Sequence, residues 1–185
     1  HGLDPLGMQN SCVRLYQRLV PGISNVTIRL RYYGFYAWLA DIYAKRIGIP
    51  DPIRWKIFLR RSEALYSALC VRATESAGVA GSYYVSEVLR DLTDESVLML
   101  SQIADQKDGE RQYLKQAYGA FGAAYGGPLY EVSVLAENRE QGVPNPSEQL
   151  GDSLAAAFAG PIGAAGNYFF EAVEKGEILV KDLDK

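Results

Sequence analysis

The chain has 185 residues, 48% of them hydrophobic and 22% charged, which is enough apolar matter for a packed domain and excludes a disordered tail. Lys and Arg total 19 against 22 Asp and Glu, so the net charge of −3 gives no global signal for a nucleic-acid or membrane partner. That average conceals a split: up to Ala80 there are 11 basic and 5 acidic residues, or +6, and from Gly81 onward 8 and 17, or −9.

Helical periodicity dominates the chain, and strand-like alternation is hard to find. Asp4 and Pro5 read as the N-cap and first position of a helix whose apolar residues Met8, Cys12, Leu15, Tyr16 and Leu19 recur in steps of three and four. Pro21-Gly22 ends it, and Ser24 or Asn25 caps a second helix over about residues 25–47. Six aromatics between Tyr32 and Tyr43 make this helix apolar nearly all round, as suits the centre of a bundle. Asp51-Pro52 starts a third helix of about 25 residues with Trp55, Phe58, Leu65 and Leu69 on its inner face.

Beyond Gly78 and Gly81 the expected helices shorten: 82–92, 94–106 and 110–125, the last ended by Gly126-Gly127-Pro128. Residues 129–136 are ambiguous between helix and strand, 148–159 are helical, and Asn167 caps a final helix to Lys175 with Gly176 as its stop. The pattern predicts an all-α fold, a compact multi-helix bundle around the long aromatic helix. It is expected to form one helical domain over 1–185, the N-terminal part of a longer protein, with a basic three-helix unit (1–78) and an acidic short-helix unit (82–185).

Thirteen Tyr, six Phe and two Trp stand against one His and two Cys, an inventory rich in packing groups and poor in catalytic ones. Cys12 and Cys70 lie far apart with no CxxC pattern and read as buried free thiols, so neither a metal nor a cofactor is expected. No apolar run reaches the ~18 residues of a membrane span, and a cytoplasmic location is expected.

On the predicted second helix Arg29 shares a face with Tyr33, Tyr36 and Tyr43, with Arg31, Gly34, Trp38, Asp41 and Lys45 on the opposite, more polar stripe. An inward guanidinium needs a carboxylate, carbonyls or a ring face to offset its desolvation. Arg29 with Tyr33, Tyr36 and Tyr43 is therefore a candidate anion or nucleotide pocket, or else an internal clamp fixing helix register. On the third helix Arg54, Arg61 and Arg72 fall within about 20° of one another on the helical wheel, with Arg60 on a neighbouring line. With Arg31 they form a candidate basic interaction surface for phosphates or an acidic protein. The competing reading is a solvated face paired with Glu63 or with the acidic second half of the chain.

Helices 82–92 and 94–106 mimic a helix-turn-helix, but the second carries Asp94, Glu95 and Asp105 where base-reading side chains belong. No catalytic residue is assigned: Asp41 can pair with Lys45 and Glu171 with Lys175, and the glycines lack a phosphate-loop context.

The stretch Gly2-Leu-Asp-Pro-Leu-Gly7 and the block from Leu19 to Leu39, with Pro21-Gly-Ile-Ser-Asn-Val-Thr-Ile-Arg-Leu-Arg-Tyr-Tyr33 at its heart, resemble the opening of large bacterial proteins. The resemblance covers about the first 45 residues. It implies a bacterial, cytoplasmic N-terminal region of a longer polypeptide and supplies no catalytic assignment. The expected function is a non-catalytic macromolecule-binding module, its partner a protein or an adjoining domain of the same polypeptide. Nucleic-acid binding through the arginines and a small-molecule sensor at Arg29 are the alternatives.

Overall fold

The computed structural model describes residues 8–23, 26, 27, 29–105, 113–136 and 142–184. These form an all-α multi-helix bundle. Helices α1 (Met8–Leu19), α2 (Arg31–Arg46) and α3 (Pro52–Arg72) are followed by the short α4 (Ser82–Arg90) and α5 (Leu100–Ala104). A widened turn (Phe121–Tyr125) leads into α6 (Gly126–Glu131), and α7 (Gly151–Ile162) and α8 (Ala165–Lys175) complete the bundle.

The central helix is shorter than expected. Val26 and Thr27 lie outside any helix, and α2 begins at Arg31. β-Branched residues are stiff and weak helix formers, and the Tyr33 hydroxyl donates to the Gly22 carbonyl, which holds the incoming chain off the helix axis. From Tyr32 to Ala40 every residue of α2 is buried. Such a helix has no outer face, as its composition predicts.

Helix α3 starts where local signals place it: the Asp51 carboxylate accepts from the Ile53 amide at 2.8 Å and Pro52 occupies the first turn. It runs antiparallel to α2, with Tyr43 against Trp55 at one end (5.1 Å between ring centres) and Phe35 stacked on Tyr66 at the other (4.6 Å). The opposite flank of α2 packs on α7. Gly34 permits this approach, because a β-carbon there would stand 3.0 Å from the Phe158 ring.

Several expected elements are corrected. The helix expected at 94–106 is instead a turn, a two-residue strand β1 (Val97–Leu98) and α5, so no helix-turn-helix exists among the described residues. Gly126-Gly127-Pro128 does not end a helix; it lies in α6, which continues directly from the widened turn, where the Gly126 N–H donates to the Phe121 carbonyl. Residues 135–136 form strand β2, paired antiparallel with β3 (Asn145–Pro146). Strand β4 (Ile178–Leu179) pairs antiparallel with β1, tying the last turn, a 3₁₀ segment (Val180–Asp184), to the chain that follows α4.

Asn167 sits inside α8 and does not cap it. Its side-chain oxygen accepts from Arg46, whose guanidinium also lies 4.8 Å over the Phe170 ring. Gly176 does close α8, in the left-handed conformation with φ of 76° that favours glycine. The first helix is the outlier. Every side chain described from Asn10 to Leu19 is exposed, including Val13, Leu15 and Tyr16, and Cys12 is an exposed thiol where a buried one was expected. The core closes without it.

Candidate functional site

Two neighbouring residues of α3 organise the interior. Arg60, expected on an outer ridge, is buried: its Nε donates to the Ala104 carbonyl (2.6 Å), Nη1 to Gln116 (2.5 Å) and Nη2 to Tyr113 (2.6 Å) and Leu114 (3.0 Å). Glu63, expected as a surface partner, is fully buried and accepts from the Ala120 and Phe121 amides and the Tyr36 hydroxyl, each at 2.8 Å. Gly119 makes room for this carboxylate: its φ is +56°, and a β-carbon there would fall 2.0 Å from Glu63 Oε2. Burial raises the Glu63 carboxyl from 4.5 to about 7, against the lowering pull of its donors and of the Arg60 charge. Burial likewise pushes the Tyr36 and Tyr113 phenols well above their usual value and lowers that of Arg60. This centre latches residues 113–121 to α3.

The residues grouped as a pocket by the helical wheel do not converge. With α2 starting at Arg31, Arg29 lies off the helix, and its guanidinium donates to the Glu75 carbonyl at 3.1 Å. Tyr33 bonds the Gly22 carbonyl, Tyr36 bonds Glu63, and the Tyr43 hydroxyl donates to Ile49 (3.1 Å) at the far end of the helix. Three hydroxyls serve three separate anchors.

The basic ridge is engaged by the acidic half of the chain. Arg54 pairs with Glu174 at 3.0 Å and Arg61 with Asp105 at 2.6 Å; Arg72 spans Asp94 (2.8 Å) and Asp184 (2.9 Å). Arg61 also donates to the Val173 and Glu174 carbonyls, and its bonds to Asp105 hold its guanidinium above the usual value. Arg31 alone of the five keeps a loose pairing, 3.8 Å from Glu75 with both side chains more than three-fifths exposed. Asp41 pairs with Lys45 at 2.8 Å, one helical turn on.

What the helices leave open is a cleft of about 710 Å³ between α2, α3, α7, α8 and β4. Its walls are Phe35 and Trp38 of α2, Leu65 and Tyr66 of α3, Phe158 of α7 and Phe169 of α8, with Arg31, Cys70, Glu75 and Asp182 at its polar end. Trp38 meets Phe169 edge-on at 5.3 Å and Phe158 at 5.7 Å, so the aromatic wall is braced from behind. The cleft lies on the Arg31–Trp38 flank of α2, around the helix from the tyrosines singled out in sequence. The missed signal was that a helix apolar on both flanks must present aromatic residues on each.

Among the described residues no three His, Cys, Asp or Glu side chains come together as a metal site, and no helix is long and apolar enough to cross a membrane. Compared with known proteins, the chain matches no family model, and searches of curated proteins and of solved structures give no significant match.

Proposed function

We propose that the chain is a small-molecule-binding helical module that takes a largely apolar ligand in the cleft between α2, α3, α7 and α8. The observation that carries this reading is the cleft itself: about 710 Å³, walled by six aromatic rings from four helices and carrying its few polar groups at one end. Ligand sites in proteins have this volume and this mixture, roughly 300 to 1,000 Å³ with a small number of placed polar groups in an apolar wall. The nucleic-acid reading loses its support where Arg54, Arg61 and Arg72 are engaged by carboxylates of the same chain. A bacterial cytoplasmic setting rests on the resemblance of the opening block alone.

N-Phenyl-1-naphthylamine, an uncharged probe that fluoresces in apolar surroundings, tests the reading. One molecule is expected to bind per chain. Ala157→Trp, on the cleft side of α7, fills the space and is expected to weaken binding at least about tenfold. No binding, or binding indifferent to that substitution, would overturn it.

A second reading, binding of a protein partner, draws on α1. Its Leu15, Tyr16 and Leu19 are exposed at about half or more of their surface, on a helix amphipathic in sequence.

A further inference from the structure

The cleft is polar at one end only, and the reason is the antiparallel run of α2 and α3. The N-terminal turn of α2 and the C-terminal turns of α3 bring Arg31, Tyr66, Cys70 and Glu75 together, while Trp38, Phe158, Ile162 and Phe169 line the opposite reach. Within the polar end one group is out of balance. Tyr66 is 8% exposed, and among the described residues its hydroxyl meets no oxygen or nitrogen partner; its one hydrogen-bonding neighbour is the weak Cys70 thiol one turn on. A buried hydroxyl without a strong partner is costly, and a ligand oxygen would recover that cost.

The charges around Tyr66 indicate which oxygen. Burial raises its phenol to about 12, so it remains a donor throughout the neutral range. Arg29 and Arg31 both act on Tyr66 and on Cys70 in the sense that favours negative charge there. Glu75 opposes them at Cys70, and Asp182 also lines this end. Of these groups, Arg29 is fixed to the Glu75 carbonyl, whereas Arg31 is exposed and only loosely bridged, so its guanidinium can turn toward an incoming anion without losing a strong contact. A donor that stays protonated, a movable guanidinium and an aromatic trough beyond them suit an elongated molecule with one acidic end.

We propose that the cleft binds an anionic amphiphile, a medium- to long-chain carboxylate whose head is held by the Tyr66 hydroxyl and the Arg31 guanidinium while its tail lies along Phe35, Trp38, Phe158 and Phe169. This rests on the cleft being a ligand site, and the test separates the two claims. N-Phenyl-1-naphthylamine bound to the full chain is displaced, below micellar concentrations, by dodecanoate, dodecanol and dodecyltrimethylammonium. Dodecanoate is expected to displace it at roughly tenfold lower concentration than dodecanol, and the cation least well. Tyr66→Phe and Arg31→Met are each expected to weaken dodecanoate by roughly 5- to 30-fold relative to dodecanol, with melting temperature no lower than that of the unaltered chain. Equal displacement by acid and alcohol, preference for the cation, or full dodecanoate affinity in either variant overturns the carboxylate assignment and leaves the cleft as an apolar site. Failure of the probe itself to bind overturns both.

Discussion

Glu63 shows how far a residue's role depends on what reaches it. Unfolded, its carboxyl titrates near 4.5; folded, burial raises it to about 7. The native state therefore binds this proton more tightly, so the contribution to stability is fully present below about pH 4.5 and is lost as pH rises through about 7. The chain holds a single His, so few other groups titrate in that window. Urea unfolding followed from pH 5 to 8 is expected to show stability declining with rising pH. Glu63→Gln is expected to abolish that slope and to cost about 1–3 kcal/mol, because its amide group turns an N–H toward donors that need an acceptor. A slope that survives the substitution would assign it to another group. Neither Glu63 nor Arg60 was legible as buried in sequence. Their partners, residues 104–121, lie 44 to 58 positions downstream and carry no local pattern that announces contact.

Among the elements, local signals were legible and long-range ones were not. Asp51-Pro52 and Gly176 mark helix ends through their own backbone and were readable. The start of α2 depends on Tyr33 reaching Gly22, and the position of α7 depends on Gly34, which looks in sequence like one more small residue. Gly34 yields a graded prediction. Alanine gains about 0.5–1 kcal/mol of helix propensity, enough to offset a contact that requires Phe158 to give by a few tenths of an ångström. Valine carries two further methyls into that contact and is expected to destabilise by about 1–3 kcal/mol. It should also press Phe158 toward the cleft and weaken probe binding. Thermal melting and probe titration of both variants check this, and a valine variant as stable as alanine would mean that α7 shifts freely on α2.

At the scale of the whole molecule, the division of charge was visible in sequence, but its use was not. Arg54, Arg61 and Arg72 of α3 pair with carboxylates on four separate segments, so the two halves of the chain are joined along the length of one helix. These bridges are unequal. Arg61 and Asp105 are mostly buried and Arg61 also serves two carbonyls, so Arg61→Met is expected to cost about 1–3 kcal/mol. Arg54→Met removes an exposed pair and is expected to cost less than about 1 kcal/mol, and less still in high salt, where the gap to Arg61→Met widens. Urea unfolding of the two variants at low and high salt decides it, and equal losses would mean that burial does not rank these pairs.

Arg60 and Glu63 stand three positions apart on α3, close enough to neutralise each other before anything else arrives. α3 precedes residues 113–121 in the chain, so until that segment packs, each of the two charges has the other as its nearest opposite on the helix. In the folded chain both are satisfied from elsewhere: the guanidinium by four carbonyls, and the carboxylate by two amides and a phenol.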